Sequence, residues 1–404
     1  MSFRGVKPLR IVAMILAGGR VGELSVLTLR RPKSALPFAG YYRIIDFPLS
    51  NLMRAGIQNV GILSQYRPAS LIDHVGVGEH WDFAGLGRGA KILPPFRGAD
   101  ASDWYRGNAD AVYQNLNYVR DHDADLVLVL SGDHIYSMDY REMIERHLER
   151  GADLTIAVKR MDRDERFGYA VLDQDGRVLD YEEKPSHPKS DLASLTIYLF
   201  DARALTDALT VLRAEGGVEF GRHVIPAMVS ARRVFGWEFD GYWAYTRTVE
   251  SYYQAHQDLL SGRIDVDRWG VRSNLVDAGI AGQPPLRIGS GAKIENSFIS
   301  SACVVEGAVE ESVISPGVII ERGAIVRGSV ILGRGRIAAG ARVERAIVDK
   351  AVVIGEGAAV GGAAAEGGLT LIGKEARVEA GARIPAGAVV QPEEIAQSAR
   401  GDTA

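Results

Sequence analysis

The chain has 404 residues, 47% hydrophobic and 24% charged, enough for two or three domains and a sizeable core. Its formal net charge of −4 carries no polyelectrolyte signature and argues against a nucleic-acid partner. The one cysteine, Cys303, rules out an internal disulfide framework and suits a reducing compartment as an inert side chain packed among small and branched apolar neighbours.

The first apolar run, Ile11 to Ala17, is too short to cross a bilayer. Arg4, Lys7 and Arg10 precede it, but Gly18-Gly-Arg20 and a polar loop follow instead of a small-residue cleavage site. A buried first strand and a cytoplasmic protein are therefore expected. Further strand-like runs fall at Val60–Leu63, Leu126–Leu130, Leu154–Val158 and Leu195–Phe200, with helix-like segments such as Ala109–Arg120 and Tyr140–Arg150 between them. Alternation at this spacing predicts a doubly wound, mainly parallel α/β sheet over residues 1–260. In such sheets ligands bind beyond the carboxyl ends of the strands, where Gly18-Gly19 and Gly132-Asp133 fall.

Residues 261–285 read as a connector. From 286 to 392 the pattern changes, with branched residues six apart at Ile319, Ile325, Ile331, Ile337 and Val343, and again at Ile372, Val378, Ile384 and Val390. Small residues fill the corners, which predicts a parallel β-helix. The register slips near Arg345–Val348 and over Ala358–Gly368, where a coil carries an extra loop, and residues 393–404 read as a frayed tail.

Glycines after a buried strand let backbone N–H groups approach a nucleotide, and Lys33 in Arg30-Arg-Pro-Lys-Ser34 would offset phosphate charge. Alone, such glycines are often only a turn, and a lone lysine there is more often a solvated surface residue. Four later blocks are more specific: Tyr42-Arg-Ile-Ile-Asp-Phe-Pro-Leu-Ser-Asn51, Trp104-Tyr-Arg-Gly-Asn-Ala-Asp-Ala111, Ser131-Gly-Asp-His-Ile-Tyr136 and Glu182-Glu-Lys-Pro185. In this order and spacing the chain resembles the ADP-glucose pyrophosphorylase family, glucose-1-phosphate adenylyltransferase, over essentially its whole length.

The resemblance implies a Rossmann-like nucleotidyltransferase sheet followed by a left-handed parallel β-helix, and a reaction of ATP with glucose 1-phosphate giving ADP-glucose and pyrophosphate. A phosphomonoester with a second pKa near ~6 is already ionised at neutral pH, so no general base is required. The task is to bring two anions into line and neutralise their charge. The resemblance assigns Asp133, Lys33 and Arg20 to catalysis, with Asp133 holding Mg²⁺. It places Leu16, Ala17, Gly18, Gly19, Gln65, Tyr105, Gly107 and Asp110 on the nucleotide. Tyr105, Gly168, Glu183, Lys184 and Ser194 fall on glucose 1-phosphate, with Tyr198 nearby, and His134 is read as structural. It also implies a homo- or hetero-oligomer, typically a tetramer, and an anionic metabolite effector between the domains. Arg4, Lys7 and Arg10 are candidates for that effector site and equally for a solvated tail.

This sequence departs from the family at two chemically important places. The loop Gly-Gly-Arg-Gly-Thr-Arg-Leu appears as Gly18-Gly-Arg-Val-Gly-Glu-Leu24, which puts Glu23 where the family has the triphosphate arginine. A carboxylate there should repel pyrophosphate unless it turns away or binds metal. Val21 disfavours a positive-φ turn, which Gly22 would shift by one residue. The block Tyr-Trp-Arg-Asp-Val-Gly-Thr appears as Tyr242-Trp-Ala-Tyr-Thr-Arg-Thr248, so Tyr245 replaces the second metal aspartate, and Asp240, five residues earlier, could stand in only if the backbone bends. Milder changes are Ser34 after Lys33 and Asn108 before Ala-Asp. Three readings stay open: a working adenylyltransferase with a compensated site, a modulatory subunit of a hetero-oligomer, and a pyrophosphorylase for another nucleotide or sugar.

Overall fold

The structure, a computed structural model, describes residues 9–19, 22–96, 104–363, 365 and 367–397. Arg4, Lys7, Arg20 and Val21 lie outside them. The first part is built on nine strands: β1 (Ile11–Leu16), β2 (Asn59–Leu63), β3 (Gly89–Leu93), β4 (Leu126–Ser131), β5 (Leu154–Arg160), β6 (Gly168–Leu172), β7 (Val178–Glu183), β8 (Leu192–Asp201) and β9 (Val234–Glu238). Their order is β7-β6-β8-β4-β1-β2-β3, with β5 also pairing β8 and β9 pairing β5. Around β1 the pairings are parallel, as expected. Beyond β4 the long strand β8 runs antiparallel to β4, β5 and β6, so the two halves of the sheet differ.

Strand β1 is apolar throughout because both of its faces are covered. Val12 and Met14 pack with Val127 and Val129 on one face, while Ala13 and Ile15 pack with Leu128 and Leu130 on the other. Helix Tyr140–Glu149 buries Tyr140, Met143, Ile144 and His147, one face at helical spacing, and Asp139 caps it by accepting from Arg141 N. The segment expected as one helix over Ala109–Arg120 is two, Asn108–Gln114 and Leu116–Asp121. They break at Asn115, whose side-chain amide donates to Ala111 O and to the Tyr105 hydroxyl.

The second part winds three parallel sheets of seven, six and six strands into a three-sided coil. Ile319 pairs with Arg336 and Arg336 with Val353, so each of these coils takes 17 residues. Two steps of six and one of five complete a turn, which corrects the uniform six-residue frame. Ile319 is 41% exposed and Ile325 only partly covered, while Ile320 and Val326 point inward. From Ile331 onward the expected residues are buried. The extra loop expected over Ala358–Gly368 is present, since Val353 pairs with Arg377, a longer step than the others. The coil also runs past residue 392: Ile395–Ala396 adds a strand to one sheet, and Ala396 joins the core. Cys303 is buried there with Sγ 3.2 Å from Ser315 O, as an inert packing residue should be.

The two parts share an apolar core. Val313, Val330, Ile347 and Leu371 lie on one side of the coil and pack against Leu24, Val26, Leu36, Phe38 and Tyr252. Buried Arg31 pairs with buried Asp349 across the same junction. The connector is fastened as well: Asn274 Nδ2 donates to His74 O at 2.9 Å, and Asp277 pairs with Arg43. Among the described residues no helix is long and apolar enough to cross a membrane.

His74 ties the connector to the sheet. Its Nε2 lies 2.6 Å from Asp46 Oδ1 and its Nδ1 2.8 Å from Asp277 Oδ2, so both ring nitrogens face carboxylates. Burial works against the charged ring, but the two carboxylates outweigh it and raise its pKa. Stability from this charge is therefore complete below the unfolded value of about 6.5 and is lost as pH rises through the raised folded value. Replacing His74 by Gln should cost about 3–5 kcal/mol at pH 6 and clearly less at pH 9, measured by urea unfolding at both pH values. An equal cost at both would show that the ring is neutral.

Candidate active site

Two cavities meet at the carboxyl end of β1, with Leu16 and Asn108 lining both. The first cavity lies over Gly18 and Gly19 and is bounded by Leu63, Gln65, Tyr105 and Gly107. A Cβ on Gly18 would sit 3.3 Å from Leu63 O, so the backbone there packs directly on the end of β2, and Ala17 N donates to Leu63 O at 2.9 Å. Nothing stands within 4 Å of the corresponding point on Gly19, which leaves its backbone open to a ligand. A Cβ on Gly107 would lie 2.3 Å from Val218 O, so only glycine lets the two chains approach there.

Three of the residues expected on the nucleotide also brace the cavity. Gln65 lines it, but its amide is occupied at both ends by Tyr105, accepting from Tyr105 N at 2.8 Å and donating to Tyr105 O at 3.2 Å. The Tyr105 hydroxyl donates to Leu93 O and accepts from Asn115. Tyr105 therefore forms a wall of this cavity and does not line the second one, against its expected place beside the sugar phosphate. Asp110 is 2% exposed, accepts from Arg106 N, Gln114 Nε2 and Arg213, and holds its own loop without lining the cavity.

The second cavity is lined by Gly168, Glu183, Lys184, Ser194 and Tyr198, so the fold brings these five residues together. Its shape depends on two glycines. A Cβ on Gly168 would fall 2.1 Å from the Tyr181 hydroxyl and 2.8 Å from Glu183 Oε2, and one on Gly221 would fall 2.1 Å from the same oxygen. The Glu183 carboxylate lies between them and accepts from Tyr181 Oη at 3.3 Å. Burial raises its pKa, with Lys184 opposing. Lys184 holds a φ of 53°, left-handed for a non-glycine residue, fixed by its N–H donating to Phe167 O at 3.1 Å. A bulge in β8 does the same for Ser194 and Tyr198: Thr196 has φ 54° between them, and Ser194 Oγ donates to Tyr198 Oη at 3.3 Å.

Asp133 follows the turn at the end of β4. The short strand His134–Tyr136 pairs antiparallel with Trp243–Tyr245 in a register that sets Tyr245 opposite His134. Lys33 Nζ donates to Asp133 Oδ2 at 2.8 Å, and Ser131 Oγ donates to Oδ1. Burial would raise the Asp133 pKa, but Lys33 and His134 hold it well below the usual carboxylate range. Lys33 is 2% exposed and lies 4.3 Å from the centre of the Tyr245 ring, which covers it, so it lines neither cavity. Burial lowers its pKa and Asp133 opposes that. Burial also lowers the His134 pKa to about 4, so the ring is neutral at pH 7 and its Nδ1 has no partner, consistent with a structural role.

The two sequence departures meet at this point. Glu23 does not face the cavity as an isolated carboxylate: its Oε1 accepts from Arg247 Nε at 2.8 Å, which corrects the expected repulsion. Arg247 Nη1 donates to the Tyr245 hydroxyl at 3.0 Å. The strained turn falls at Ser25, with φ 50°, and Gly22 has no positive φ. Asp240 is exposed and its carbonyl accepts from Lys159, so it does not replace the missing carboxylate. Among the described residues no three His, Cys, Asp or Glu side chains converge on a common point. Of the two carboxylates expected on the metal, the sequence retains only Asp133. Trp243, Arg166, Gly221 and Arg247, which line the second cavity, were not singled out as site residues from the sequence. Gly221 carried no signal of its own, whereas Trp243 and Arg247 stood inside a block already noted for its departures.

The profile of the nucleotidyl transferase family matches residues 12–262, and that of a GlmU-like C-terminal hexapeptide family matches residues 287–368. A glucose-1-phosphate adenylyltransferase of Bacillus thuringiensis (strain Al Hakam) is 40% identical over 357 residues, covering 86% of this chain and 94% of its own. A protein of the same name from Lachnospira eligens is 42% identical over 318 residues, 77% of this chain and 74% of its own.

The Lys33–Asp133 pair has a direct test. Lys33→Met leaves a carboxylate without its cation and should destabilise the protein by about 3–5 kcal/mol. Adding Asp133→Asn should recover most of that loss, read from urea midpoints as a double-mutant cycle. Additive losses would show that the two groups do not depend on each other.

Proposed function

Because the chain belongs to the glucose-1-phosphate adenylyltransferase family of nucleotidyl transferases, we propose that it joins ATP and glucose 1-phosphate into ADP-glucose and releases pyrophosphate. The observation that carries this reading is the junction of the two cavities at Leu16 and Asn108. An adenine nucleotide over Gly18 and Gly19 would point its α-phosphate at a sugar phosphate held beside Lys184. Glu183 and Ser194 accept from and donate to sugar hydroxyls, and Lys184 offsets the phosphate charge. The sugar-phosphate oxygen is already ionised and attacks phosphorus in line, with the bond to pyrophosphate breaking opposite it. Neutral His134 takes no proton in this scheme. Asp133 would hold Mg²⁺, which offsets charge on the phosphates when bound.

The same reading extends to regulation and assembly. An interdomain cavity of about 280 Å³ is lined by Arg43, Arg334 and Lys350, whose pKa is pushed down to about 7 by burial and the neighbouring Arg43 and Arg31. This supports an anionic effector there. Arg10 is not part of it, since it pairs with Asp123 at 2.8 Å and donates from its backbone to Asp125. We read the protein as a cytoplasmic oligomer, in keeping with its one buried cysteine and with the coil of the second part as a contact surface.

Purified protein with ATP, glucose 1-phosphate and Mg²⁺ should release pyrophosphate only when both substrates are present. ATP should serve better than the other nucleoside triphosphates, and Asp133→Asn should lower kcat/KM on the order of 10²–10³-fold. Absence of pyrophosphate at high enzyme concentration overturns the reading. The Tyr245 ring over Lys33 is the observation that favours a modulatory subunit instead. Glu23→Arg with Tyr245→Asp separates the two: a large gain marks the wild type as modulatory, and unchanged turnover marks a compensated site.

A further inference from the structure

The contact between Glu23 and Arg247 joins the segment after the glycine loop to the strand that faces Asp133, from positions 224 residues apart. Arg247 lines the sugar-phosphate cavity with Arg166 and Lys184. Arg166 is committed, since its Nε contacts both carboxylate oxygens of Asp164 at 2.9 Å. Lys184 is placed for the sugar phosphate, and Lys33 lies under Tyr245. Arg247 is held by fewer contacts: it meets one carboxylate oxygen of Glu23, in a pair whose side chains are 33% and 47% exposed. A solvent-exposed ion pair with one contact contributes little on its own, so its carboxylate exchanges readily for another anion. A phosphate oxygen pair is a better partner for a guanidinium fork than a single carboxylate oxygen.

We propose that Arg247 binds the β- and γ-phosphates of the nucleotide and then the leaving pyrophosphate, and that Glu23 holds it in position until the triphosphate displaces the carboxylate. The proposal rests on the adenylyltransferase reading for the identity of the ligand. It explains why a carboxylate is tolerated at position 23: the negative charge lost to repulsion is matched by a cation that enters through position 247. When Arg247 turns to phosphate, Tyr245 loses the hydrogen bond to its hydroxyl, which loosens the ring that covers Lys33.

A purely structural tether makes a different prediction. If the pair only fastens the 22–28 segment, Glu23→Gln and Arg247→Gln break the same contact and shift ligand affinity in the same direction. Displacement requires opposite signs. Calorimetric titration of the full-length protein with ATP, inorganic pyrophosphate and AMP distinguishes them. Arg247→Gln should weaken ATP and pyrophosphate about 10–100-fold, the range for losing a hydrogen bond to a charged group. AMP should be unchanged. Glu23→Gln should tighten ATP severalfold, the double variant should still bind ATP and pyrophosphate more weakly than wild type, and Arg247→Lys should recover part of the loss. Unchanged pyrophosphate affinity in Arg247→Gln, or shifts of the same sign in the two single variants, overturns the assignment. Pyrophosphate release by the wild type is measured alongside. Opposite-signed shifts without turnover would remove the catalytic reading and keep the arginine's role, whereas turnover with same-signed shifts would do the reverse.

Discussion

A lysine ammonium that is 2% exposed has no water to share its charge, so it stays charged only if a carboxylate is held against it. Lys33 finds Asp133 at 2.8 Å, and much of the site is arranged around that contact. The pair fixes the turn at the end of β4. That turn starts the strand His134–Tyr136, whose antiparallel partner brings Tyr245 over Lys33 and leaves Arg247 just beyond it. Asp133 stays ionised although burial works against it. The charge is kept next to Ser131 and His134, two residues that line the second cavity.

The segment that carries both Glu23 and Lys33 is positioned from the other half of the molecule. Leu24, Val26 and Leu36 pack on side chains that point out of the coil, and Arg31 crosses to Asp349 two residues before Lys33. A branched residue pointing outward from a β-helix would ordinarily meet water, so Val313, Val330 and Ile347 make sense only as half of an interface. The coil therefore contributes to the site without lining it.

Much of the site was legible because its residues sit in nonrepetitive blocks at strand ends. Gly18 lines the first cavity and Glu183, Lys184 and Ser194 the second, and Gly168 has a steric reason that the sequence could not state: a Cβ there would collide with Tyr181. Asp110, Gln65 and Tyr105 are different. They belong to the same blocks, yet each spends its polar atoms on its neighbours. A motif records which residues stand near a ligand and does not separate those that touch it from those that hold the others still.

The sequence by itself determined the two architectures, because burial on both faces of a strand and a repeating inward position leave periodic traces in the chain. It determined the family as well, through the order of its blocks. It also exposed the two departures, Glu23 and Tyr245, as single substitutions with no visible compensation. Only the tertiary structure decided what they mean. Glu23 and Arg247 are 224 positions apart, and charge compensation acts through space, over a few ångströms, with no regard to distance along the chain. The inward frame of the coil needed the structure for a related reason: a step of five among steps of six is fixed by how one turn stacks on the next, and a single turn read alone does not contain it.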